Sequence, residues 1–202
     1  LHHEFRLGQL GALLGEIAVL REGSSTSSSE AELALADAEI ATLRSVIDCW
    51  STRADEAVRF ARDALDKAPP SYSFLRGNAY LYYCFGMQMS GNMAEGVGLL
   101  QRALELDPSG KGTQTTRMLI AVAGSYWLAG DSLNTLRFGR QILEVAQRQH
   151  LMTSRSWACM LVSFAHYQRN ELDAAAACCS SLIDHPIGAH PMALGHTMPG
   201  MA

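Results

Sequence analysis

Four leucines, Leu65, Leu104, Leu143 and Leu182, stand 39 residues apart, and no other feature of the 202-residue chain restricts its fold as strongly. Pro69, Pro108 and Pro186 keep the same interval and skip one position, at Gln147. Thr52, Gly91, Gly130 and Arg169 share a phase that reads as a turn. A period between about 20 and 50 residues marks stacked supersecondary units, each too small to bury its own apolar face. In such an array the number of units sets the size, so length gives no domain count. With 48% apolar and 18% charged residues, the chain has enough apolar surface for a continuous core and does not read as disordered.

Periodicity within each repeat is helical. Leu7, Leu10, Leu13, Leu14, Ile17 and Leu20 recur at helical spacing over Leu7–Arg21. Gly8, Gly11, Ala12, Gly15 and Ala18 add small residues that permit close helix approach, at some loss of helix propensity. Gly23–Ser29 reads GSSTSSS, a low-complexity loop. Ser29 then offers an N-cap, with Glu32 completing a capping box. Helix pairs follow at 30–51 and 53–67, 72–90 and 93–106, 113–129 and 132–149, and 152–168 and 171–184. Their hinges carry turn chemistry at Gly91–Asn92, Gly130–Asp131 and Arg169–Asn170. Proline follows most second helices, and its ring cannot continue the hydrogen-bond ladder.

These boundaries predict an all-α fold, a right-handed superhelix of antiparallel helix pairs in a single helical-repeat domain spanning 1–202. Residues 1–29 form a partial unit and Ser-rich loop, and pairs occupy 30–69, 70–108, 109–148 and 149–186. Residues 187–202 fall out of step, because Pro199 would lie in the middle of the next helix, so an irregular or partial unit is expected there. Leu1 and Ala202 bound the sequence without a capping segment, and a piece of a longer protein is expected.

Several function classes fit poorly. A net charge of −4 and scattered arginines give no nucleic-acid surface, so this segment is expected to make no direct nucleic-acid contact. Apolar runs such as Ala79–Met89 are too short to span a bilayer. Cys49, Cys84, Cys159, Cys178 and Cys179 are odd in number, unpaired in spacing and set in apolar helices, which suits small hydrophobes in a reducing cytoplasm. Ser109–Thr113, SGKGT, looks like a phosphate loop but lacks the earlier glycine, replaced by Glu105, and the preceding strand. His185, His190 and His196 in the tail lack the tight ligand pairs of a zinc site, and His2–His3 stand apart. No cofactor, no metal and no enzyme activity are expected, since no nucleophile elbow or paired-carboxylate motif stands out.

The second unit, LRGNAYLYYCFGMQMSGNMAEGVGLLQRALELDP over Leu75–Pro108, resembles the tetratricopeptide repeat in its Gly91–Asn92 hinge and its Ala103, Leu104, ELDP ending. Ala57, Gly96, Thr135 and Ala174 match that repeat's small-residue position in the second helix. The 39-residue period exceeds the repeat's usual length of about 34. That longer variant is similar to the sensor region of large LuxR-family transcriptional regulators related to the maltose-regulon activator. The Leu75–Gly77 opening and the GEIA run at Gly15–Ala18 also resemble that group. The resemblance implies a superhelix that receives an inducer or a partner protein and passes the signal to a nucleotide-binding switch domain outside this chain.

In tetratricopeptide-like stacks the first helices line the concave face, and most aromatics here sit in first helices or their leads, while second helices hold Phe60 and Phe138. Arg76, Arg117 and Arg155 recur near first-helix starts, where the macrodipole disfavours a cation, so each calls for a counter-group. A carboxylate of a neighbouring unit and an acidic group on a ligand both satisfy that need, and Asn78, Gln88 and Gln114 offer hydrogen bonds nearby. The expected binding residues are Arg76, Tyr80, Tyr83, Arg117, Trp127 and Trp157. The expected partner is a small-molecule effector or a protein, with homodimerisation through uncapped ends as a further consequence of the repeat. An interaction scaffold binding a peptide or partner helix in an open groove is the alternative.

Overall fold

The computed structural model describes residues 2–23, 29–106 and 112–183, and among them all regular structure is helical. The elements are α1 (His2–Gly23), α2 (Glu30–Trp50), α3 (Ala54–Lys67), α4 (Ser73–Met89), α5 (Met93–Glu105), α6 (Thr113–Leu128), α7 (Ser132–Arg148), α8 (Met152–Gln168) and α9 (Leu172–Ile183). Each expected pair is present as two helices, α2 with α3 through α8 with α9. The middle of the Ser-rich loop, most of the SGKGT segment, Pro108, and the tail with Pro186, Pro199, His185, His190 and His196 lie outside the described residues.

Local chemistry explains the boundaries. Ser29 caps α2 as expected: its Oγ accepts from Glu32 N at 3.3 Å, and its own N–H donates to Glu32 Oε2 at 2.8 Å. Each pair turns on a residue in the left-handed region: Thr52 (φ 59°), Gly91 (77°), Gly130 (77°) and Asn170 (58°). The next N–H reaches five residues back, from Arg53 to Asp48 O, Asn92 to Met87 O, Asp131 to Tyr126 O and Glu171 to His166 O, at 2.8–3.0 Å. This is the Schellman arrangement, which satisfies terminal carbonyls that the helix leaves open. Between α7 and α8, where the proline series lapses, His150 (φ 56°) turns the chain in the same way, with Leu151 N donating to Ala146 O.

The last pair departs from the expected phase by one residue. Its left-handed residue is Asn170, not Arg169, and its buried small residue is Ala175, while Ala174 is half-buried. One extra residue lies between Gly130 and Asn170 compared with Gly91 to Gly130. Asparagine tolerates the left-handed conformation through its short polar side chain, and arginine does not share that advantage.

The chain divides into two compact units, Leu1–Leu99 and Leu100–Ala202. In the first, α4 packs on α2 and α3, α3 packs on α2, and α1 contacts α2. Ala41, Ala64 and Ala79 form a buried cluster against Phe60 and Leu65. A Cβ on Gly86 would meet Val58 Cγ2 at 2.7 Å and Ala54 O at 3.2 Å, so α3 and α4 approach closely there. Ser45 Oγ donates to Ala57 O at 2.9 Å, tying α2 to α3. Arg21 holds α1 to α2 through two hydrogen bonds to Asp37, at 2.7 and 2.8 Å. The glycines of α1 do not serve the close approach expected of them. Nothing lies within 4 Å of a Cβ built on Gly8, Gly11 or Gly15, because α1 faces α2 with Leu14 and leaves Leu13, Val19 and Leu20 exposed.

In the second unit α7 packs on α6 and α8, α8 on α6, and α9 on α8. Leu136, Val162 and Ala165 form its buried cluster, with Leu143 and Cys178 against them. Ser163 Oγ donates to Ala175 O at 3.3 Å, the same tie that Ser45 makes in the first unit. Ser154 Oγ donates to Thr116 Oγ1 at 3.0 Å between α8 and α6.

Candidate functional site

Helical spacing builds a cleft of about 660 Å³ from α2 and α4 in the first unit. Glu39, Thr42, Leu43 and Val46 line it from α2, at positions i, i+3, i+4 and i+7. Leu75, Asn78 and Tyr82 line it from one face of α4, the lead into α4 supplies Ser71 and Tyr72, and the first turn of α4 supplies Ser73 and Phe74. The volume falls in the range of small-ligand sites, about 300–1,000 Å³. Tyr72 and Phe74 are exposed, Phe74 by 60%, so two solvent-exposed aromatic residues stand at the cleft. Thr42 Oγ1 donates to Ala38 O at 2.8 Å, which leaves its lone pairs as its remaining capacity. Asn78 Nδ2 donates to Phe74 O at 3.1 Å.

The six expected binding residues sit elsewhere, three in each unit. Arg76, Tyr80 and Tyr83 share the other face of α4. Arg76 Nη1 donates to both Leu65 O and Ala68 O at 2.8 Å, so its counter-group is the open carbonyl end of α3, neither a carboxylate nor a ligand. Its guanidinium lies 5.9 Å from the half-buried Tyr80 ring. Tyr83 is 0% exposed and accepts a hydrogen bond from Arg62 Nη2 at 3.0 Å. It has no surface to offer a ligand; it joins α4 to α3.

In the second unit Arg117 and Trp127 are half-buried on α6, and Trp157 is half-buried on α8. Trp127 stacks on Phe164 with centroids 5.1 Å apart, and Tyr126 stacks on Phe138 at 5.7 Å. These aromatics join helices, as offset ring pairs commonly do. Arg155 lines a separate cleft of about 490 Å³ with Gln147, His150, Cys159 and Cys178. Burial pushes the Cys178 thiol upward and the Cys49 thiol up to about 12, which withholds the thiolate that nucleophilic or metal chemistry needs. No group of three or more His, Cys, Asp or Glu among the described residues could hold a metal ion.

Sequence reasoning passed over Glu39 and Thr42, and it counted Tyr72, Phe74 and Tyr82 among the first-helix aromatics without placing them among the six expected binding residues. On α4 a signal existed: Leu75, Asn78 and Tyr82 form a second stripe at helical spacing, on a different face from Arg76, Tyr80 and Tyr83. Periodicity cannot say which stripe meets α3. No family model, curated protein or solved structure matches this chain.

Proposed function

We propose that this chain is a signal-receiving module of tetratricopeptide-like helix pairs, stacked as a right-handed superhelix, and that the α2–α4 cleft is where it takes its ligand. Within that reading the chain serves a LuxR-like bacterial transcriptional regulator in the cytoplasm and biases a switch domain outside it. The cleft carries the proposal: it has the volume of a small-ligand site and is built from two first helices with aromatic side chains at its edge. Five free cysteines accord with a reducing compartment. Among the described residues no helix is long and apolar enough to cross a membrane. The mechanism is differential binding, in which a ligand held between α2 and α4 favours one spacing of the two helices.

The test is a thermal-shift screen of metabolites against the chain and its Phe74→Ala variant. A ligand at 100 times its dissociation constant adds about 2.7 kcal/mol of stability. A shift in the parent chain that Phe74→Ala abolishes supports the cleft. A shift that the variant retains refutes it.

A second reading, the interaction scaffold, is favoured by the exposed apolar residues of α1: Leu13 is 50% exposed, and Val19 and Leu20 are each 69% exposed. Silence across the panel together with recovery of a protein partner, or dimerisation of the chain, would select it.

A further inference from the structure

Resting on the cleft as the ligand site, we infer that its ligand is an organic cation: a protonated or quaternary amine on an aromatic or apolar body. The arginines left an acidic ligand open as one of two counter-groups, and the lining of the cleft favours the opposite sign. Glu39 is the one charged side chain among the described residues that line the cleft. Arginines close by in sequence are engaged elsewhere. Arg76 is committed to the α3 carbonyls, and Arg44 lies over the Phe60 ring at 5.3 Å.

The two polar groups that α2 brings to the cleft, Glu39 and Thr42, also favour a donor. Thr42 has spent its proton on Ala38 O and offers only lone pairs, and a carboxylate accepts only. An ammonium group supplies N–H donors and positive charge together. The rings of Tyr72, Phe74 and Tyr82 add negative π faces, which attract ammonium ions and pack against an apolar body. An anionic ligand would meet Glu39 with no compensating cation.

Three probes of matched shape separate the contributions: phenethylamine, phenethyl alcohol and 3-phenylpropionate, with binding to the 202-residue chain followed by saturation-transfer NMR. Phenethylamine is expected to bind about tenfold more tightly than the alcohol, the sum of a partly exposed ion pair and a cation–π contact. The carboxylate is expected to bind more weakly than either. Glu39→Gln is expected to remove most of the preference, and Phe74→Ala to weaken phenethylamine and the alcohol alike. Glu39 and Phe74 are exposed, so both variants should fold. Equal binding of the three probes, or a preference that Glu39→Gln leaves intact, overturns the cation and spares the cleft as long as Phe74→Ala still weakens binding. Binding that Phe74→Ala does not touch, or no binding by any probe, overturns the cleft and the cation with it.

Discussion

Replacing Arg76 by methionine removes the guanidinium and keeps most of the stem, so it isolates what the charge does. In the folded chain one nitrogen donates to Leu65 O and Ala68 O, both at 2.8 Å, at the C-terminal end of α3. A hydrogen bond to a charged donor contributes about 1.5–3 kcal/mol net, and a cation at a helix C-terminus about 0.3–1 kcal/mol. Arg76 is only half-buried, so the carbonyls regain water when it is removed, and a net loss of about 1.5–2.5 kcal/mol is expected for the two bonds together. For a chain of this size, each kcal/mol lowers Tm by about 2–4 °C, giving a fall of about 3–10 °C. Far-UV circular dichroism on heating measures it. Arg76→Lys keeps a cation near the helix end and should recover part of the loss. Were Arg76 reserved for an acidic ligand, Arg76→Met would unfold at the parent temperature and would lose only an anion's stabilisation. That result would refute the structural role.

Two further outcomes follow from packing and charge. Gly86→Ala should destabilise by about 1–2 kcal/mol, because the new methyl group would meet the stiff Val58 side chain at 2.7 Å and Ala54 O at 3.2 Å, and this overpacking outweighs the gain of about 1 kcal/mol in helix propensity. Gly15→Ala, with open space around it, should stabilise by up to about 1 kcal/mol; urea denaturation of both variants checks the pair, and equal effects would contradict the contact geometry. The hydrogen bonds from Arg21 hold the Asp37 carboxyl below its ordinary range, so the folded state protonates there less readily than the unfolded chain. Its stabilisation is present above the unfolded carboxylate value of about 3.9 and is lost as pH falls through the lower folded value. The Tm gap between the parent and Asp37→Asn should therefore narrow below about pH 4, and a gap constant to pH 2.5 would rule out that linkage.

Helix boundaries were legible because the chain marks them by local chemistry. Gly91 and Gly130 supply left-handed turns, Ser29 and Glu32 close a capping box, and Pro69 stops α3. The single inserted residue before Asn170 was not legible, because Arg169 held the expected phase and only backbone conformation distinguishes the two. The site was less legible for a different reason. On α4 the stripe of Arg76, Tyr80 and Tyr83 and the stripe of Leu75, Asn78 and Tyr82 have the same helical spacing. Choosing between them requires knowing where α3 lies. Arg76 was correctly singled out as a cation needing a counter-group, but a helix's own carbonyl end leaves no trace in sequence as an acid would.

The corrected phase also sorts the first helices by register. Counting 39 residues twice and then 40 for the last pair aligns Glu39, Asn78, Arg117 and Trp157. Each is less buried than both its neighbours: Ala38 and Ile40, Gly77 and Ala79, Thr116 and Met118, Ser156 and Ala158 are all buried, while the residue between them is not. Packing holds the flanking positions to small or apolar residues, with Ala, Gly, Thr or Ser before and Ile, Ala or Met after. The position between them carries an acid, an amide, a base and an indole in turn. A position that packing constrained would not range across those four chemistries. Glu39 and Asn78 line the cleft, so the register that packing leaves open is the one that the cleft uses. Arg117 and Trp157 share this register in the other unit, whereas Arg76, Tyr80 and Tyr83 lie on a different face of α4 from Asn78. The recurring residues build the helix pairs, and the proposed cleft would draw its ligand chemistry from the position where recurrence fails.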